Sequence, residues 1–172
     1  MRKILSIIAV VCVATFALSA CDQGDKAKED AAAAAALKPA VIPVPTNPTD
    51  KSAWKQYLVS VVTANMQGVK STHPYMYFVP GGDDDASKAD RSNQLENVKT
   101  TVSRGVLPGN MLAFGGPDSA LTAQMVTEAF KDAQAGSFKD VVVLIIGKPA
   151  DGDAVKQALA SSAADVRVVE AK

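Results

Sequence analysis

Histidine and cysteine are almost missing from this chain. Its 172 residues include one histidine, His73, and two cysteines, Cys12 and Cys21. A single imidazole excludes His-cluster metal sites and argues against His-dependent catalytic triads. Two cysteines build neither a disulfide framework nor a Cys-ligated zinc centre. Excess charge is missing too: 18 Lys+Arg balance 18 Asp+Glu. Binders of nucleic acid usually show a basic surplus or stripe, so no nucleic-acid partner is expected. The sequence contains no GxGxxG, no GxxxxGK[ST] and no GxSxG, the patterns that cradle phosphates or expose a nucleophilic serine. What it does have is globular composition, with 48% apolar and 21% charged residues, too hydrophobic for a wholly disordered chain.

The amino terminus reads as an address. Met1-Arg2-Lys3 is basic, Ile4 to Leu18 is mostly apolar, and the run closes on Leu18-Ser19-Ala20-Cys21. The apolar stretch is short of the roughly 20 residues of a membrane-spanning helix and has the three-part form of a secretory signal. Its last four residues resemble the lipobox of bacterial lipoproteins, a resemblance confined to residues 1–21. It implies lipid transfer to the Cys21 sulfur and cleavage after Ala20, giving a signal peptide at 1–20. Membrane attachment then runs through the lipid on Cys21, because two or three acyl chains hold stably where one does not. Cys12 leaves with the signal, so Cys21 has no disulfide partner in the mature chain. Asp22 resembles the inner-membrane retention signal of enteric-type lipoproteins, which favours the periplasmic side of the inner membrane over the outer one. Losing Arg2 and Lys3 leaves 16 basic against 18 acidic residues, a net charge of −2, which gives no reason to expect electrostatic adhesion to anionic lipid.

Residues 21–50 read as a lipid-anchored flexible tether. Mixed charge from Asp22 to Asp30 precedes six alanines, Ala31 to Ala36, and then Pro39, Pro43, Pro45 and Pro48. Asp25 to Leu37 has helical propensity, but a lone helix of that length is marginal in water and Pro39 stops it. The proline-rich remainder favours extended, semi-rigid chain.

From residue 51 to 172 the pattern is that of one domain. Trp54, Tyr57, Leu58, Val61, Val62 and Met66 recur at helical spacing, predicting a helix over 52–67. Strands are expected at 75–79, 111–114, 141–146 and 166–169, and further helices at 87–104, 119–135 and 153–160. Val141 to Ile146 is an unbroken aliphatic run, the mark of a strand covered on both faces. Strand–helix alternation predicts an α/β fold: a three-layer sandwich around a mainly parallel four-stranded sheet with helices on both faces. The third strand should be central, and the last, which carries Arg167 and Glu170, an edge for which an antiparallel run is considered.

Each of the first three strands runs into a turn rich in Gly, Pro and Asp: Val79-Pro80-Gly81-Gly82-Asp83, Phe114-Gly115-Gly116-Pro117-Asp118 and Ile146-Gly147-Lys148-Pro149-Ala150-Asp151. In a parallel sheet these turns share the carboxyl rim, where such folds usually bind ligands. Gathered there would be Asp83, Asp84, Asp85, Asp118, Asp151 and Asp153, with Lys148 the one cation in the turns. A carboxylate-lined mouth could hold Mg²⁺ or Ca²⁺ or meet a basic partner; the plainer reading is that these aspartates cap helices and the glycines and prolines build turns. Ser87, Ser92, Ser103 and Ser119 offer hydroxyls without an elbow motif, and His73 falls at the opposite rim. Tyr75, Tyr77, Phe78 and Trp54 read as core.

The favoured expectation is a non-catalytic binding or assembly module for an envelope or secreted protein partner, with the acidic rim as its contact face and no cofactor or resident metal. The alternative is a divalent-metal-dependent hydrolase, or a small-ligand binder, using the same rim carboxylates.

Overall fold

The computed structural model describes residues 40–172. The expected signal segment, Cys21, Asp22 and the tether up to residue 39 lie outside the described residues. Nine elements follow in order: α1 (Lys51–Ala64), β1 (Tyr75–Phe78), α2 (Asp85–Arg104), β2 (Met111–Gly115), α3 (Ser119–Ala129), β3 (Val142–Ile146), α4 (Pro149–Ala158), a 3₁₀ turn (Ala160–Ser162) and β4 (Asp165–Val169). None of these helices is long and apolar enough to cross a membrane.

The four strands form one sheet in the order β1-β2-β3-β4, and every neighbouring pair is parallel. The fold is therefore α/β with an all-parallel sheet. β4 is an edge strand as expected, in the parallel sense, and β3 is flanked by β2 and β4.

Alternation along the strands builds two cores. Leu112 and Phe114 of β2, with Val143 and Ile145 of β3, face Val98 and Val102 of α2, Met125 and Val126 of α3 and Val155 of α4. Met111, Ala113, Val142, Leu144 and Ile146 point the other way, onto Trp54, Tyr57, Leu58, Val61 and Val62 of α1. All five residues of β3 are buried, which is why its sequence carries no polar alternation. Three crossover helices thus cover one face and α1 alone covers the other.

Aromatics join the layers. Tyr77 stacks on Phe114 with centroids 5.0 Å apart, and its hydroxyl donates to Thr101 Oγ1 at 2.9 Å. Trp54 packs edge-on to Tyr57 at 5.7 Å. Tyr75, by contrast, is 45% exposed at the sheet edge.

The segment before α1 belongs to this packing. Val44 lies against the core under α1, the Trp54 indole N–H donates to the Asn47 carbonyl at 3.2 Å, and the Ile42 N–H donates to Ser60 Oγ at 3.3 Å. Residues 42–47 therefore run antiparallel to α1, and the chain arrives beside the carboxy-terminal half of that helix.

Candidate functional site

The parallel, sequential sheet places the loops after β1, β2 and β3 side by side on the carboxyl rim, and with them Asp83, Asp84, Asp85, Asp118, Asp151 and Asp153. Their roles differ. Asp84 is the N-cap of α2, accepting from the Ser87 N–H at 2.9 Å. Hydrogen bonds from the Ser87 hydroxyl and backbone N–H hold its carboxyl below the usual range. Asp118 caps α3 by accepting from the Leu121 N–H at 3.0 Å. Each satisfies one of the free N–H groups that begin a helix.

Asp151 caps nothing. The cap position of α4 is Lys148, whose side chain makes no capping bond, and Pro149 opens the helix. Asp151 sits in the first turn, where the helix dipole favours an anion without a direct bond. Asp153 pairs with Lys156 one turn on, at 3.0 Å. Asp85 occupies the first turn of α2, and Asp83 is exposed in the loop before it. Sequence reasoning missed a further cap: Asp50 accepts from the N–H groups of Ser52 and Ala53 at 3.1 and 2.9 Å, starting α1.

The glycines of the rim turns bring neighbouring loops into contact. A Cβ on Gly81 would lie 2.8 Å from the Pro117 ring, one on Gly116 2.0 Å from the Val79 carbonyl oxygen, and one on Gly147 2.4 Å from Ser119 Oγ. Real Cβ atoms are not found this close, so these positions require glycine for contact between loops. Two polar ties reinforce the seam. The Lys148 N–H donates to Ser119 Oγ at 2.7 Å, and the Arg91 guanidinium reaches back from α2 to the carbonyls of Pro80 and Gly82 at 3.0 and 2.7 Å.

The strand order bears on ligand binding as well. Open α/β sheets usually hold small ligands where the strand order reverses and adjacent loops part. The order β1-β2-β3-β4 has no reversal, and the rim loops pack against one another. Among the described residues, no group of three or more His, Cys, Asp or Glu side chains is placed to hold a metal ion. Grooves on the described surface lie elsewhere. One of about 550 Å³ lies beside the β1 edge, between α1 and α2, and one of about 460 Å³ lies between α2 and α3; neither is lined by a rim aspartate.

Three of the four serines singled out in the sequence have local partners; Ser92 lines the groove between α2 and α3. Ser119 receives the Lys148 N–H, Ser103 donates to the Thr100 carbonyl at 3.0 Å, and Ser87 serves the Asp84 cap. His73 stands at the amino rim, exposed, with Nδ1 2.9 Å from the Thr72 hydroxyl, remote from the aspartates.

What the arrangement offers is an interlocked, acidic, shallow surface on a parallel α/β domain. Compared with known proteins, the chain matches no family model, no curated protein and no solved structure.

Proposed function

We propose that this chain is a lipid-anchored periplasmic protein whose α/β domain is a non-catalytic binding module for an envelope or secreted protein partner. The lipid sits on Cys21 and the carboxyl rim is the contact face. The observation that carries the reading is the rim itself. Asp83 in the loop after β1, Asp85 at the start of α2 and Asp153 in the second turn of α4 stand beside loops already locked together by the Gly116–Val79 and Gly147–Ser119 contacts. A surface fixed before binding loses little conformational entropy on association. Net negative charge on it gives orientation and speed toward a basic partner patch. The lipobox resemblance at Leu18 to Cys21, and the Asp22 that follows, support placement at the periplasmic face of the inner membrane.

The test is binding to envelope proteins by the acylated protein and by a variant carrying Asp83→Asn, Asp85→Asn and Asp153→Asn. None of the three side chains caps a helix, so the variant keeps its fold. One partner should bind the wild type in constant stoichiometry, more weakly as salt rises, and should lose affinity for the variant. Equal capture by both proteins would show that the rim is not the contact face.

A further inference from the structure

We propose that the amino-terminal rim of the sheet is a membrane-facing surface that docks on anionic phospholipid headgroups, with Leu107 entering the interface. The proposal takes one element from the anchor reading, namely that the chain arriving at residue 40 comes from a bilayer.

Charge is distributed unevenly over the two rims. At the amino ends of the strands stand Lys70, Arg104, Lys131, Lys139 and Arg167. Asp132, Asp140 and Asp165 oppose them, so five cations against three anions give +2. The carboxyl rim carries six aspartates against Lys148, Lys156, which pairs with Asp153, and Arg91, which lies on the Pro80 and Gly82 carbonyls, a net of −3. Asp165 is committed to Arg167 at 2.7 Å, whereas Lys70, Lys139 and Arg104 have no carboxylate partner among the described residues. The balanced total therefore conceals a bipolar molecule.

The same rim exposes the most prominent apolar side chain. Leu107, in the turn between α2 and β2, is 77% exposed. That turn is firmly held: the Lys70 N–H donates to the Gly109 carbonyl at 2.8 Å, and the Gly109 N–H to the Asp140 carbonyl at 2.7 Å. The Lys70 stem lies over Gly109, where an added Cβ would come within 3.1 Å of it. Beside the turn opens a shallow groove of about 500 Å³ lined in part by Lys70, Pro108, Lys139 and Arg167. Asp140 and Asp165 line the same groove, so a fixed apolar tip next to a mixed but net basic groove is what this rim presents to a lipid interface. The apolar group leaves water while the cations meet phosphates.

The path of the chain selects lipid over other anionic surfaces. The Ile42–Ser60 bond brings the incoming segment alongside the carboxy-terminal half of α1, and the Arg167 guanidinium ties the end of α1 to the amino rim through the Gln67 carbonyl at 2.7 Å. Val41 and Ile42 are themselves 45% and 40% exposed there. The described chain therefore enters the domain on the side of the amino rim, and the acidic rim lies at the opposite end of the sheet.

The polypeptide 22–172 keeps every residue of both cores and lacks Cys21, so its behaviour does not depend on acylation and leaves the lipoprotein reading untouched. It should sediment with phosphatidylglycerol vesicles at low ionic strength, release with salt, and ignore phosphatidylcholine vesicles. Lys70→Gln and Lys139→Gln should each weaken partition about fivefold. Leu107→Ser should weaken it further, and Asp83→Asn on the far rim should leave it unchanged. A polarity-sensitive dye on Leu107→Cys should shift to the blue on anionic vesicles. Failure of the wild type to bind anionic vesicles would overturn the proposal. So would binding indifferent to Lys70, Lys139 and Leu107, or protection of the dye by an envelope protein in the absence of lipid.

Discussion

Ser119 Oγ accepts a 2.7 Å hydrogen bond from the backbone N–H of Lys148, fastening the loop after β2 to the loop after β3. The hydroxyl fits because Gly147 beside it has no side chain; a methyl there would stand 2.4 Å from the same oxygen. Gly147→Ala should therefore cost about 1–3 kcal/mol, the usual range for overpacking. Gly116→Ala should cost more, since its obstacle is the backbone carbonyl of Val79 at 2.0 Å, which cannot swing aside. Urea titrations should rank the midpoints wild type, Gly147→Ala, Gly116→Ala from highest to lowest. A Gly116→Ala protein of wild-type stability would mean the loops are not interlocked.

The rim aspartates separate by role. Asp118→Ala and Asp50→Ala each remove a bonded cap and should destabilise by about 1 kcal/mol. Asp151→Ala removes no bond, because α4 begins at Pro149 without a side-chain cap, and should stay within about 0.5 kcal/mol of wild type. Equal losses at Asp118 and Asp151 would contradict these assignments.

Acid should expose the Asp84 cap. Its carboxyl titrates below the ordinary value of 3.8 because Ser87 bonds its charged form. A depressed folded value means that the stabilisation is fully present above the unfolded value and is lost as pH falls through the folded one. The difference in urea midpoint between wild type and Asp84→Ala should hold from neutral pH down to about 4 and then close. A gap that persists at lower pH would show that the cap does not depend on the ionised carboxyl.

At the alkaline end the sign reverses. Burial raises the Tyr57 and Tyr77 hydroxyls above their ordinary value of 10.0, so their contribution is intact below that value and lost as pH climbs through the folded ones. Tyr77→Phe gives up the bond to Thr101. It should be weaker by about 1 kcal/mol at neutral pH yet show a shallower alkaline decline. An unchanged decline would assign the alkaline sensitivity elsewhere.

A chain beginning at Lys51 should be less stable than one beginning at Ala40. The shorter chain uncovers the core beside Val44 and frees the Trp54 indole N–H from Asn47. The loss should be about 1–2 kcal/mol in urea, with Trp54 fluorescence shifted to the red. Identical melts would place the start of the folded unit at α1.

The layers were legible because apolar spacing announces them. Trp54, Tyr57, Leu58 and Val61 mark the buried side of α1, and Val142 to Ile146 the doubly covered strand. Strand order was not, since strand–helix alternation implies parallel neighbours whether or not the order reverses. Helix ends slipped where a local signal had two meanings. Helix α3 stops at Ala129 rather than running to 135 because Phe130 turns off to pack on Phe138, with centroids 4.8 Å apart; Gly136, read as the end of the helix, belongs to the next turn. Helix α4 starts at Pro149, ahead of the expected 153, and contains Gly152, which looked like part of a turn. Only the spatial approach of Val168, 2.4 Å from where a Cβ would lie, shows why glycine is used inside that helix. The rim glycines were hidden for the same reason, since their partners are 28 to 37 positions away. The basic rim was invisible because Lys70, Arg104, Lys139 and Arg167 lie scattered along the chain and only the topology collects them.

The decisive measurement is the intact mass of the membrane-extracted protein together with the same mass for Cys21→Ala. The wild type should weigh as the polypeptide 21–172 plus a diacylglycerol, with or without a further acyl chain, and Cys21→Ala should carry no lipid. A wild-type protein that retains residues 1–20, or is cut elsewhere and bears no fatty acid, would contradict the membrane-tethered reading.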